Sequence, residues 1–211
     1  MSYAENLAVF FVLLFGIIIV PGMDMLFVIA NALTSGRRAG LAATAGIMLG
    51  GVFHTIWGAL SVMALLHLSP QLLNVMLLAG ACYMAWIGVT LLRSTIMVTA
   101  VEDATSRSAL VAFRQGAVTC LLNPKAYLFT LSVYPQFLSA KFGNLYAQTL
   151  VIGIVTALMQ LAVYGGLALA AHRSRALLLA HPGSTAWVGR AAGGLFLCVA
   201  LLTAWHGLAR T

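Results

Sequence analysis

Charge is what this 211-residue chain has least of: four acids and eleven bases make up only 7% of it, against roughly 25% in an ordinary soluble domain. With 62% hydrophobic residues and a mean hydropathy of +1.02, a soluble fold could not solvate its own surface. Cysteine is scarce too. Cys82, Cys120 and Cys198 each stand alone in an apolar run with no C-x-x-C spacing, which excludes a thiol-redox carrier and leaves them as small core residues. No H-E-x-x-H and no Ser/His/Asp constellation is found, so no enzyme is expected. A secretory leader is not expected either, because residues 1–10 carry Glu5 but no Lys or Arg, and no small-residue cleavage site follows.

What the chain does have is long apolar runs. Spanning a bilayer takes about 20 such residues per helix, and six runs fit, roughly 5–32, 40–66, 72–92, 112–138, 146–170 and 187–207. Their continuity argues for helices, since a barrel needs short alternating segments. The expected fold is an all-α polytopic membrane protein, with the lipid bilayer as its main partner.

The net charge of +7 would suit nucleic acid, but the positions of the bases point to topology instead. Arg37, Arg38, Arg93, Arg107, Arg114, Arg173, Arg175 and Arg190 fall in or beside three loops on one side, against Lys141 and Arg210 on the other. By the positive-inside rule both termini are expected outside the cytoplasm. Nucleic acid is not expected as a partner.

The polar stretch 94–108 divides the chain into two halves of three spans. Three is odd, so the halves must run in opposite senses, as in inverted-repeat transporters whose sites lie at Gly- or Pro-interrupted helices near mid-membrane. We therefore expect one transmembrane domain over 1–211, with repeat one at about 1–93, a cytoplasmic linker at about 94–111 and repeat two at about 112–211. Pro21, in VPGMD, and Pro124, in LNPKAY, break the first helix of each repeat at comparable places. Glu5 and Arg37 flank Pro21 at equal distance, and a straight helix between them would be about 48 Å long, more than a bilayer with its headgroups. Gly36-x3-Gly40, Gly46-x3-Gly50 and Gly189-x3-Gly193 have the spacing that lets helices pack closely, which permits a homodimer without requiring one.

Asp24 is the one acid inside an expected span. A carboxylate there costs about 2.5–3.5 kcal/mol and ordinarily faces a cavity or partner, so it is a candidate for substrate or proton binding; equally, an Asp after Pro-Gly is a good N-cap. Asn123-Pro124 is a helix-start signature, and Lys125 projects from its first turn. Lys125 either pairs with Asp24 or contacts substrate. The two breaks thus offer opposite charges and free N–H groups at half-helix ends, which favour anions. That suits a zwitterion: ammonium to Asp24, carboxylate to Lys125, with Asn123 and Gly22 contributing from the breaks. His54 is either a proton relay beside Asp24 or a hydrogen-bonded core histidine. His67, His172, His181 and His206 form no metal-ligand spacing. Gln160 and Tyr164 fit a cavity lining, but nothing in the sequence singles them out.

These residues resemble the LysE/RhtB family of amino-acid exporters. The resemblance rests on VPGMDMLFVIANALTSGRRAGLAATAGIMLG, ACYMAWIGVTLLR and FRQGAVTCLLNPKAYLFTLSVYPQF, in that order, covering the first two-thirds of the chain. It implies secondary active efflux of amino acids or close derivatives across a bacterial inner membrane, using the proton gradient or another coupling ion and no cofactor. The chain departs from the family's usual P-G-P, having P-G-M. The following residue is Asp in some members and Asn in others, and Asn cannot carry a proton. Two alternatives stand beside this reading: export of an inorganic divalent cation, which would want several converging His, Cys or carboxylate ligands, and a non-transporting membrane protein in which Asp24 and Lys125 only pair.

Overall fold

The computed structural model describes residues 2–68 and 108–170, together with single positions between 78 and 89 and between 190 and 205. Every described element is helical. Helix α1 is Tyr3–Ile19 and α2 is Met23–Leu68; after the undescribed stretch come α3, Ala109–Leu121, and α4, Pro124–Phe137. A short 3-10 turn, Ala140–Phe142, leads to α5, Leu145–Gln160, which continues through a π-helical turn, Leu161–Gly165, into α6, Gly166–Leu169. Single positions such as Leu78, Trp86, Leu197 and Trp205 are helical as well. The expected linker lies outside the described residues except for 108–111, where Ser108 caps α3 and the helix has already begun; most of the third and sixth expected spans lie outside them as well.

Local chemistry explains the ends. Ser2 and Glu5 form a reciprocal capping box at the start of α1, satisfying two of the amide donors that a helix N-terminus leaves unpaired. Asn144 caps α5 by accepting from Tyr146 and Ala147 N–H.

Helix α2 is apolar enough to cross a membrane over 42 residues, which as a straight rod would be about 63 Å long, twice the hydrocarbon thickness. It is not straight. Gly36 has φ 85°, ψ 173°, a conformation glycine adopts at little cost, and the chain folds back there. A Cβ added to Gly40 would lie 2.6 Å from the Cβ of Ala32, although residues eight apart on one helix are separated by about 12 Å. Gly36 is therefore a turn between the first and second expected spans, where its spacing to Gly40 had suggested helix packing alone. Gly46-x3-Gly50 does pack: Gly46 lies against the backbone of Phe113 and Ala117, and Gly50 against Cys120. Gly189 and Gly193 lie outside the described residues.

The outer surface is apolar. Phe53, Leu60, Leu150 and Leu158 are all more than half exposed, more apolar surface than a soluble protein shows but what hydrocarbon requires. Inside, Phe10, Leu13, Val28, Ile47, Val133 and Ile152 are fully buried, drawing α1, α2, α4 and α5 around one core. Phe10 packs edge-on against Tyr134 and Phe137, and Asn6 donates to the Phe137 carbonyl at 3.0 Å, tying α1 to α4.

Candidate functional site

The first break separates α1 from α2. Val20 is extended (φ −68°, ψ 122°), as a residue before proline must be, and Pro21 offers no N–H to continue the ladder. The Gly22 carbonyl then accepts from Leu26 N–H at 3.0 Å and starts α2. Asp24 sits in the first turn of α2. Its Oδ1 is buried without a hydrogen-bond partner, and Asp24 is the second residue of α2 rather than the residue before it.

The second break is built as its sequence predicts. Asn123 is extended ahead of proline, its Oδ1 accepts from Lys125 N–H at 3.0 Å, and Pro124 opens α4. Lys125 then reaches across to the first break, where Nζ donates to the carbonyls of Ile17 (3.1 Å) and Val20 (3.2 Å). These oxygens belong to the C-terminal end of α1, which has no N–H groups of its own to satisfy them and carries the negative end of the helix dipole. Gly22 makes the reach possible: a Cβ there would stand 2.9 Å from Nζ and 3.3 Å from Cε. The expected alternative of a bare Asp24–Lys125 ion pair is thereby corrected, because the ammonium is occupied by backbone oxygens and the two side chains do not meet as a salt bridge. They remain near enough to act on each other electrostatically, as do Asp24 and His54.

Both breaks open on one cavity of about 60 Å³, room for about four waters at the 10–15 Å³ each requires. Asp24, His54, Asn123 and Lys125 all line it; Pro21, Gly22 and Pro124 shape the breaks from outside the lining. His54 comes from α2 with its Nε2 2.9 Å from the Cys120 carbonyl. A carbonyl only accepts, so Nε2 carries the hydrogen, and Nδ1 is left buried and unpartnered. The ring also packs edge-on against Tyr127 at 4.4 Å. His54 thus has one nitrogen fixed in the core and the other uncommitted.

Two lining residues that the sequence did not single out are Gln160 and Tyr164. Gln160 ends α5, is 6% exposed and has an unpartnered Oε1; Gly51 of α2 makes room for its amide, since a Cβ there would lie 2.7 Å from Oε1. Tyr164 lies in the π-helical turn that follows, a distortion found often at functional sites, and stands near enough to Asp24 to feel its charge. Of the six buried polar atoms without a partner among the described residues, four line this cavity: Asp24 Oδ1, His54 Nδ1, Asn123 Nδ2 and Gln160 Oε1. Native proteins rarely leave such groups unpaired without a ligand, water or function to explain them. Among the described residues no three metal-ligating side chains converge.

A model of the LysE type translocator family matches residues 15–207. The chain is 31% identical over 183 residues to an uncharacterised membrane protein of Pseudomonas aeruginosa, covering 82% of this chain and 84% of that one. It is 30% identical over 131 residues to the leucine efflux protein of an Enterobacter species, 62% of each chain. With the homoserine/homoserine lactone efflux protein of Salmonella typhimurium it shares 27% over 184 residues, 87% of this chain and 88% of the relative. No solved structure matches.

Proposed function

The chain belongs to the LysE type translocators, membrane proteins of transport rather than catalysis, and from that premise we propose that it exports amino acids or close derivatives across a bacterial inner membrane. The relatives named for leucine and for homoserine efflux support the substrate class. The observation that carries the reading is the convergence on one cavity of a buried carboxylate and a half-buried ammonium, held at the two helix breaks, with three further unpartnered polar atoms from Asn123, His54 and Gln160.

In this reading the substrate zwitterion lies between the breaks near mid-membrane, its ammonium toward Asp24 and its carboxylate toward Lys125 and Asn123. The two halves each run helix, proline break, helix, positive-φ glycine turn, helix, with Pro21 and Gly36 answered by Pro124 and Gly143. That order supports an inverted pair of three-span repeats rocking about a central site. The substrate carboxylate takes the Lys125 N–H that Ile17 and Val20 leave free, so the ammonium's charge is shared, its hold on the end of α1 weakens, and occupancy is coupled to movement. Asp24, and His54 through its uncommitted Nδ1, supply places for a coupling proton.

The test is export of radiolabelled amino acids from loaded vesicles by wild type, Asp24→Asn and Lys125→Met. Both variants are expected to lose export; wild-type rates in both would rule the site out. Divalent-cation export is separated by growth of expressing cells on toxic metals, where this reading expects no protection.

A further inference from the structure

We propose that the site selects neutral amino acids, seating the α-ammonium on Asp24, Gln160 and His54 and leaving the side chain to uncharged walls. The inference rests on the export reading above and narrows its substrate. Its first support is the sorting of the unpartnered atoms by chemistry. Asp24 Oδ1 and Gln160 Oε1 are acceptors, and His54 Nδ1 is one as well because its hydrogen is on Nε2. Three acceptors match the three donors of one ammonium. All three side chains are more than nine-tenths buried, at 5%, 6% and 3% exposure, and line the same cavity.

The donors are counted the same way. Asn123 Nδ2 has no partner, and the Lys125 ammonium spends two of its three N–H groups on Ile17 and Val20. The third Lys125 N–H and one N–H of the Asn123 amide, whose other N–H is close enough to serve Asp24, are left for the two oxygens of one carboxylate. The zwitterion head therefore uses up every uncommitted polar atom noted above.

What is left for the side chain carries no charge: Leu14, Ile17, Ile18 and Phe129 are apolar, and Thr130 and Thr156 add hydroxyls. A second cation, as on lysine or arginine, would need a second acid. The chain has only four: Asp24 is taken, Glu5 is held by Ser2 at the exposed start of α1, and Glu102 and Asp103 lie in the polar stretch between the halves. An unpaired charge at mid-membrane is costly enough to set a discrimination of about 100-fold. Aliphatic and hydroxyl-bearing side chains carry no such penalty.

The experiment is counterflow into proteoliposomes of the full chain, with labelled leucine, homoserine, lysine and glutamate, and N-acetyl-leucine as competitor. Leucine and homoserine are expected to move about 100-fold faster than lysine or glutamate, and N-acetyl-leucine, lacking the ammonium, is expected not to compete. Gln160→Leu should raise the leucine concentration for half-maximal counterflow about tenfold, the effect of one lost hydrogen bond to a charged group, while Gln160→Glu keeps an acceptor and recovers it. Lysine moving as fast as leucine overturns the selectivity while the export reading stands. Competition by N-acetyl-leucine equal to that of leucine overturns the ammonium seat. If no amino acid moves, the export reading fails and takes this inference with it.

Discussion

The two helix breaks contain the same ingredients and are held together differently. At the second, everything needed is local: Asn123 caps the amide of Lys125, Pro124 fills the position where no donor is required, and the connection is two residues long. At the first, no side chain from Val20, Pro21 or Gly22 can satisfy the end of α1, and Lys125 comes 108 residues along the chain to do so. One break is self-sufficient, and the other is held by a charge that the proposed site also offers to a substrate carboxylate. The difference makes the first break the responsive one, since a ligand can alter a structure only where it interacts differently with its two states.

The largest expected effect is on removing that charge. Lys125→Met leaves the Ile17 and Val20 carbonyls unpaired and Asp24 without a nearby cation; at about 1–3 kcal/mol for each of the two stranded carbonyls, a loss of about 2–6 kcal/mol is expected, read as a lower midpoint in thermal denaturation in detergent. A variant as stable as wild type would show that the first break does not depend on Lys125. Gly22→Ala comes next. The added methyl displaces Nζ, which has a flexible stem and can give way, so about 1–2 kcal/mol is expected, within the range for overpacking. Combined with Lys125→Met it should add almost nothing, because the displaced group is already gone. Full additivity in that double-mutant cycle would separate the glycine from the lysine.

Asn123→Ala removes the local cap and should cost about 1 kcal/mol. Asn123→Ser keeps an oxygen for Lys125 N–H without adding a charge but loses the Nδ2 donor, so stability should largely return while export does not. Recovery of both would leave capping as the whole role of Asn123.

How far this contrast can be read from sequence follows from distance along the chain. Pro21 and Pro124 announce breaks because proline lacks an amide hydrogen wherever it stands, and Asn123-Pro announces its own cap. The destination of Lys125 has no local signature: the ammonium looks like a partner for Asp24 until the carbonyls of α1 are placed beside it. Gly51 opposite Gln160 is hidden for the same reason, as the two are 109 positions apart. Gly36 misled by spacing, since a glycine four residues from another reads as packing until a positive φ makes it a turn. The π-helical turn that places Tyr164 breaks the helical period, so no periodicity argument finds it.

The smallest expected change in stability falls at Asp24, and its sign is the informative part. Asp24→Asn removes a charge that burial disfavours and whose Oδ1 has no partner, so the variant should be unchanged or more stable, by up to about 1 kcal/mol. Export should nevertheless fall, because a neutral amide accepts a substrate ammonium more weakly and carries no proton. Stability and activity therefore move in opposite directions at Asp24 and together at Lys125, which is how a ligand-facing residue differs from one that also holds the fold. A thermal midpoint for Asp24→Asn several degrees below wild type would place Asp24 in the framework, alongside Lys125, and leave the cavity without its cation-binding end.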